Sequence, residues 1–307
     1  MKKNLIFLCL IVIAGYILCC PTDAVTAAAK GLLLWYERVL PALLPFAILS
    51  NILIDSNYLY CLTKPLQKIV HPILPVSEAG SFVLLSGFLF GFPMGSKNCA
   101  ALLKKGALSE KDAQILLSVT NNISPVFISG YILMQELKMP ALTLPTFLVL
   151  YLPPLVIGSF RLRKAHASSS PEKKPASDTL MNFKIIDAGI MNGFETLTRL
   201  GGYIMMFSII ASMAGQLPLS QMGNVLLAGL TEITNGIHVL VSGNLPMHIC
   251  YPLAMTFTAL GGLSGVAQTS SMIQGSRLSL KTYLKDKLLF SAITALLALL
   301  VVKAAGL

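Results

Sequence analysis

The chain has 307 residues, of which 55% are hydrophobic and only 12% are charged, and its formal net charge at neutral pH is +10. Because soluble domains carry roughly 25% charged residues, this composition excludes an ordinary soluble domain and indicates an integral membrane protein. The positive charge lies between apolar segments and no nucleic-acid-binding motif accompanies it. Membrane topology therefore explains the charge better than a nucleic-acid partner does.

The apolar segments divide the chain into two halves. Residues 1–30 are predicted to contain a transmembrane helix at 5–20, although a cleaved signal peptide fits the same stretch. Residues 161–183 are rich in Ser, Pro and Lys and predict a basic cytoplasmic linker. The halves on either side of it, 31–160 and 184–307, hold apolar runs at 31–54, 81–105, 112–134 and 142–160, then at 184–214, 222–242, 248–274 and 284–306.

The run at 81–105 is interrupted in its middle by Gly91, Pro93 and Gly95. The 11 residues from Ser81 to Gly91 would form about 16 Å of helix, roughly half of a bilayer core of about 30 Å. We therefore predict a re-entrant helical hairpin whose tip is buried in protein or lines a cavity, with a second one at 222–242. A single kinked spanning helix is the alternative.

The basic residues agree with this topology. With a cytoplasmic N-terminus and two hairpins, 17 of the 23 basic residues, Lys287 among them, fall on the cytoplasmic side. The chain also repeats itself, because LLSGFLFGFPMG at 84–95 resembles LLAGLTEITNG at 226–236, and TNNISPVF at 120–127 resembles LGGLSGVA at 260–267. We predict an all-α, polytopic membrane protein of two inverted-topology repeats, each with a re-entrant hairpin and a broken transmembrane helix at 112–134 or 248–274, an arrangement common in secondary transporters.

The tip of the first hairpin carries Gly95, Ser96, Lys97 and Asn98. Ser96 is predicted to cap the second arm, whose positive end would then combine with the Lys97 ammonium into an anion site. A lysine near the bilayer midplane costs about 2.5–3.5 kcal/mol and normally has a partner or a ligand. The alternatives are that Lys97 pairs with Glu232 or extends to water.

The first broken helix holds Asn121, Asn122 and Ser124 just before Pro125, which lacks an N–H group. The two amides could satisfy the break themselves or bind a solute. In the second broken helix, Ser264 and Gln268 lie four residues apart and therefore on one helical face.

The second hairpin tip carries Glu232, Thr234 and Asn235. Glu232 could couple transport to a cation, H⁺ or Na⁺, or serve as the counter-ion of Lys97, and the sequence does not choose between these roles. Glu195 and Arg199 are expected to pair on a polar helix face. The cysteines and histidines have no metal-ligand spacing and no catalytic motif is present, so we predict no metal, no cofactor and no enzymatic activity.

The motif GFPMGSK, followed by KKGALSEKDAQILLSVTNNISPVFISG, resembles the YlbJ-type sporulation integral membrane proteins, which carry the nucleoside-recognition or Gate domain and are distantly similar to concentrative nucleoside transporters. WYERVLPALLPF, LGGYIMMFS, LTEITNGI and GGLSGVAQTS also match, so the resemblance covers most of residues 31–275. It implies a multi-pass protein of a bacterial cell membrane, associated with moving dipicolinic acid across the outer forespore membrane.

From the residues and the resemblance together we expect a transporter of a small organic anion, with dipicolinic acid as the favoured solute and the lipid bilayer as its surroundings. The residues predicted to form its substrate site are Gly95, Ser96, Lys97, Asn98, Asn121, Asn122, Ser124, Glu232, Thr234, Asn235, Ser264 and Gln268. Two alternatives stay open: a non-transporting sporulation membrane factor that acts through protein partners, and a nucleoside carrier. The coupling ion, the direction of transport and the formation of homo-oligomers also stay open.

Overall fold

The structure, a computed structural model, describes residues 2–56, 58–166 and 182–307. This part of the chain is helical and contains no strand, which confirms the predicted all-α class. The helical stretches that are long and apolar enough to cross a membrane confirm a multi-pass membrane protein. The described residues contain six of them, Pro21–Asp55, Glu110–Glu136, Pro140–Ala165, Phe183–Gly215, Met247–Met272 and Leu280–Ala305.

The N-terminal region is more continuous than the sequence suggested. Helix α1 is Lys2–Cys19, and helix α2, Pro21–Leu34, continues through a π-helical turn at Trp35–Val39 into helix α3, Leu40–Asp55. Residues 21–30, which the sequence reading left between two spans, belong to this long stretch. Pro21 suits the first helical position and the alanines that follow have high helix propensity, so this segment extends the helix.

The predicted hairpin consists of helix α5, Glu78–Phe90, and helix α6, Met94–Lys104, and is preceded by the amphipathic helix α4, Tyr58–Val70. Gly91 makes the turn with a positive φ of 72°, a conformation that favours glycine. The two arms lie side by side, because the Asn98 side chain donates a hydrogen bond to Ser86 Oγ at 2.9 Å. They do not form one continuous kinked helix. Entry of the hairpin into a bilayer from one side stays a prediction.

The first broken helix consists of α7, Glu110–Thr120, and, beyond the break, the short α8, Pro125–Phe127, which continues as a π-helix over Ile128–Glu136. A short 3-10 turn at Pro140–Leu142 leads into α9, Thr143–His166. The predicted linker therefore starts later than residue 161, and its residues 167–181 lie outside the described part of the chain.

The second half follows the same order of elements. A long helix is followed by two short helices, a second interrupted helix and a final span. These are α10, Phe183–Gly215; α11, Gln221–Thr231; α12, Ile233–Ser242; α13, Met247–Leu260; α14, Gly262–Met272; and α15, Leu280–Ala305. The two ends of the α11–α12 pair meet, since the side chain of Gln221, the first residue of α11, donates to the carbonyl oxygen of Gly243, which follows α12. The inverted relation between the halves stays a prediction.

Polar contacts gather at one end of the helix bundle. Lys105 forms an ion pair with Asp55, and Arg161 forms one with Asp286 at 2.7 Å. Gln114 and Ser279 exchange two hydrogen bonds, of 2.7 and 3.2 Å. Here α3, α6 and α9 end and α7 and α15 begin, so one end of the bundle collects positive groups, as expected for a cytoplasmic face.

Candidate functional site

The break between α7 and α8 is explained by Pro125 and the residue before it. A residue before proline is pushed out of helical geometry, and Ser124 accordingly has an extended ψ of 149°. Its hydroxyl accepts a hydrogen bond from Phe127 N at 3.4 Å and caps the helix that Pro125 starts. Residues 121–124 therefore carry polar groups that no helical partner satisfies.

Neighbouring elements satisfy the oxygens of this break. Its backbone and side-chain acceptors take hydrogen bonds from the hairpin, from α9 and from α15. The bonds are Phe92 N to Asn122 O at 2.7 Å, Ser96 N to Asn121 Oδ1 at 3.3 Å, Tyr151 OH to Ile123 O at 2.7 Å and Lys287 Nζ to Asn122 Oδ1 at 2.7 Å.

Asn121 is the most connected residue at the break. Only 1% of it is exposed, and its Nδ2 donates to Thr269 Oγ1 at 2.7 Å and to Tyr283 OH at 3.0 Å. Its side chain therefore links α6, α14 and α15 at one point. The sequence left two roles open for the Asn amides: to hydrogen-bond the groups at the break or to bind a solute. The observed hydrogen bonds fit the first role.

Glycine brings the hairpin against this break. A Cβ on Gly95 would lie 2.8 Å from the Thr120 carbonyl oxygen, and one on Gly91 would lie 2.6 Å from Ser124 N. Both distances are shorter than real Cβ contacts, so a larger residue would push the tip away from α7. Gly95 therefore acts through close packing.

Ser96 does not cap α6, and this prediction was wrong. The helix begins earlier, with Pro93 at the N-cap position, and Ser96 lies inside the first turn. Its hydroxyl donates to Pro93 O at 2.8 Å, while its N–H group is bound by Asn121. The Gly95 N–H also has an acceptor, the Gly91 carbonyl oxygen at 3.4 Å. An anion at this helix end would therefore depend on the Lys97 side chain.

Lys97 lies in the first turn of α6 with its Nζ atom buried and without a hydrogen-bond partner among the described residues. The carboxylates that act on its charge are those of Glu195 and Asp55. Each is already paired, Glu195 with Arg199 at 2.5 Å and Asp55 with Lys105. Lys97 is thus a buried ammonium whose acidic neighbours are engaged elsewhere.

Two buried amides, one next to Lys97 in the sequence and one on helix α14, each have one oxygen without a hydrogen-bond partner in the described part of the chain. Asn98 donates to Ser86, and Gln268 donates to Ser264 Oγ at 3.0 Å, but Asn98 Oδ1 and Gln268 Oε1 have no partner within the described residues. The Gln268–Ser264 bond confirms that these two residues share a face of α14. Helices α6 and α14, which carry the two amides, contact each other.

Glu232 serves its own helix. It is the N-cap of α12 and accepts hydrogen bonds from Asn235 N at 2.9 Å, Asn235 Nδ2 at 3.2 Å and Thr234 Oγ1 at 2.9 Å. Pairing with Lys97 is not among the bonds observed for this carboxylate. The tip also contacts the first broken helix, because Tyr131 OH donates to Thr234 O at 3.2 Å.

Sequence reasoning missed Lys287 and Tyr283. Lys287 was counted among the cytoplasmic basic residues, but only 2% of it is exposed and it binds Asn122 at the break. A signal was present, because Tyr283, Lys287, Phe290 and Thr294 recur at helical spacing and form one buried face of α15.

Helix α10 has an exposed polar face in the middle of a membrane-spanning stretch. The Glu195–Arg199 ion pair confirms the predicted i,i+4 contact, and Asp187 and Asn192 are exposed on the same helix. Charged groups rarely face lipid and normally face a protein interior or a water-filled cavity. No three His, Cys, Asp or Glu side chains converge like metal ligands in residues 2–56, 58–166 and 182–307.

Comparisons with known proteins agree with the resemblance drawn from the sequence. Residues 37–138, which include the first hairpin and the first broken helix, match the sequence model of the Gate family, described as nucleoside recognition. The chain is 26% identical over 321 aligned residues to the sporulation integral membrane protein YlbJ of Bacillus subtilis (strain 168), covering 92% of this chain and 78% of the relative. No solved structure matches it significantly. The chain is thus similar to the YlbJ sporulation integral membrane protein of Bacillus subtilis, and its residues 37–138 are similar to the Gate family.

Proposed function

We propose that the chain transports a small organic anion across a cell membrane during spore formation, with dipicolinic acid as the favoured solute and the outer forespore membrane as the site of action. The observation that carries this proposal is the buried Lys97 ammonium without a hydrogen-bond partner in the described residues. The name of the YlbJ relative supports the sporulation context, and the Gate match supports a small-molecule ligand.

The charge of Lys97 calls for a counter-ion. A buried ammonium without an acceptor is costly, and its cost falls when an anion binds it. The nearby carboxylates of Glu195 and Asp55 already have cationic partners, Arg199 and Lys105. A solute carboxylate is therefore the counter-ion that we assign to Lys97.

The amides of Asn98 and Gln268 would complete the site. A hydroxyl can donate as well as accept, so the Gln268 amide can turn over, keep its bond to Ser264 and present its NH₂ group to the solute. The Asn98 amide can do the same only if the Ser86 hydroxyl gives up its hydrogen bond to Val83 O. Ser264 would then lie at the edge of the same site. Residues Gly95, Ser96, Asn121, Asn122 and Ser124 hold the hairpin tip on the break and would support the site.

The polar face of α10 would form one wall of the solute path. Met94 at the hairpin tip packs with Leu197 and Leu200 of α10 in one buried cluster, so this helix and the hairpin tip lie close together. Exposed Asp187, Asn192, Glu195 and Arg199 would face water in such a path. Glu232, with its neighbours Thr234 and Asn235, is the residue that we propose for coupling to H⁺ or Na⁺.

The test is solute uptake by purified protein in proteoliposomes. We expect uptake of dipicolinate by the unchanged protein and a loss of about tenfold or more in Lys97→Ala, since hydrogen bonds to charged groups contribute about 1.5–3 kcal/mol. Lys97→Arg should retain part of the uptake because it keeps the charge. Lys104→Ala is the matched control, because Lys104 is on the same helix but exposed, and it should leave uptake unchanged.

The competing functions give different results. A nucleoside carrier would take up uridine rather than dipicolinate. A non-transporting membrane factor would take up neither solute, and a deletion strain carrying Lys97→Ala would make spores with normal dipicolinate content. Undiminished dipicolinate uptake in Lys97→Ala would contradict the site while leaving transport intact.

A further inference from the structure

Lys287 is a second buried lysine, and it lies on a different element from the proposed solute site. It belongs to α15, only 2% of it is exposed, and its Nζ atom lies 2.7 Å from Asn122 Oδ1 and 5.8 Å from the centre of the Tyr283 ring. The ammonium thus lies within the range of a cation–π contact as well as a hydrogen bond.

Lys287 has no carboxylate partner among the described residues. The adjacent Asp286 points its Oδ1 to Arg161 at 2.7 Å. Of the helices packed on α15, α14 contains no charged residue, α13 contains only His248 in its first turn, and the charged residues of α9 are all basic. The carboxylates of α7, Glu110 and Asp112, lie in its first turn, at the opposite end from the break. The ammonium is therefore held by a neutral amide and an aromatic face, where a charge-neutralising carboxylate would be expected.

The position that it occupies is one that suits a cation. The C-terminal end of α7 carries the negative end of the helix dipole, and the unwound residues after it expose oxygen atoms. In membrane transporters, such helix ends and unwound carbonyl groups coordinate dissolved cations. Here the oxygens of residues 121–123 that lack a partner within the helix already accept hydrogen bonds from Ser96 N, Phe92 N, Tyr151 OH and Lys287 Nζ.

We propose that the Lys287 ammonium is a tethered cation that fills the cation position at the first helix break, so that no dissolved metal ion binds there. The Lys287 side chain takes the place of a bound sodium ion. Its charge offsets the negative end of the α7 dipole, and its hydrogen bond holds the Asn122 side chain in position. Asn121, its neighbour, is then held in place to bind Ser96 of the hairpin. The proposal concerns stability and cation binding and does not rest on transport.

The experiment compares thermal unfolding of purified variants in detergent, in buffers that contain choline, sodium or propylammonium chloride at equal ionic strength. Lys287→Ala leaves a space of about the size of propylammonium, which probes the position directly. We expect its Tm in choline to fall on the order of 5 °C or more and to rise again with sodium or propylammonium. Lys285→Ala, an exposed neighbour on the same helix, should match the unchanged protein in every buffer.

Two further variants keep the test decisive if Lys287→Ala folds poorly. Lys287→Met fills the space without charge and should stay destabilised in all three buffers. Asn122→Asp places a carboxylate against the ammonium but loses the hydrogen bond from Asn122 Nδ2 to Val119 O, so it should lower the Tm less when Lys287 is present than in the Lys287→Met background. The proposal is overturned if Lys287→Met is as stable as the unchanged protein, if Lys287→Ala responds equally to all three cations, or if Asn122→Asp lowers the Tm equally in both backgrounds. None of these readouts requires a solute, so failure here differs from failure of the transport proposal.

Discussion

The two hairpins meet their broken helices in different ways. The first, α5–α6, is tied to its break by hydrogen bonds from Phe92 N and Ser96 N to the Asn residues of 121–122. The second, α11–α12, meets a break made of two glycines, and a Cβ on Gly262 would lie 3.3 Å from the Leu230 and Thr231 carbonyl oxygens. Bonded side chains fix a single arrangement, whereas close glycine packing leaves more freedom to slide. We call each hairpin together with its broken helix a unit, and we therefore expect the first unit to be more rigid than the second.

The tips also differ in charge. The first carries Lys97, with no acceptor among the described residues, and the second carries Glu232, which accepts three hydrogen bonds from its own helix. The first tip therefore has an unmet requirement for an anion, whereas the carboxylate of the second tip is already hydrogen-bonded within its own helix. This contrast explains why we assign the solute to the first tip and only coupling to the second.

The largest effect is expected from Asn121→Ala. The change removes the acceptor of Ser96 N and the donors to Thr269 and Tyr283, and each such bond contributes about 1 kcal/mol, so we expect a loss of about 3 kcal/mol. Thermal unfolding in detergent measures it. Ser264→Ala, which removes one bond in the second unit, is the comparison. If both changes cost the same, the first unit is not the more tightly bonded one.

A smaller effect is expected from Gly95→Ala, which places a methyl group against the Thr120 carbonyl oxygen. We expect a loss of about 1–3 kcal/mol, because the hairpin must move away from α7. Gly130→Ala is the matched control, since nothing lies within 4 Å of a Cβ at Gly130. An equally stable Gly95→Ala variant, measured by the same unfolding assay, would show that the hairpin is not held by this close contact.

The smallest effect is expected from Glu232. Replacement by Ala removes the N-cap of α12 and should cost about 1 kcal/mol, while Gln keeps an oxygen for Asn235 N and should cost less. If Glu232 couples transport, both variants should lose the dependence of uptake on pH or sodium, which is measured in proteoliposomes. If uptake by Glu232→Gln still depends on pH or sodium, Glu232 has no coupling role. The second tip would then have only a structural function, unlike the first.

The features that the sequence predicted well depend on local chemistry. Gly91 and Pro93 end one short helix and begin another, and Pro125 forces the extended Ser124, so the positions of the turn and the break follow from backbone geometry. The i,i+4 contacts of Glu195 with Arg199 and of Ser264 with Gln268 follow from the helical repeat.

The features that the sequence missed depend on tertiary contacts. Nothing near Lys287 in the sequence indicates that the Asn122 amide, 165 residues away, will bind its ammonium. The positive-inside rule places a lysine near a helix start on the cytoplasmic side, whereas the packing of α15 shows that this one faces inward, on the face that Tyr283, Phe290 and Thr294 share with it. Ser96 was expected to cap α6 because serine favours that position, but the carbonyl of Pro93 starts the helix first.

The side-by-side arms of α5 and α6 also bear on how the chain is threaded during synthesis. If the hairpin enters the bilayer from one side, as predicted, this pair of short helices does not cross the membrane. The orientation of α7 would then depend on α3 and not on whether the pair has already folded. The hairpin can then dock late, after the later helices have supplied Thr269, Tyr283 and Lys287 to the break, without reversing the sidedness of anything that follows it.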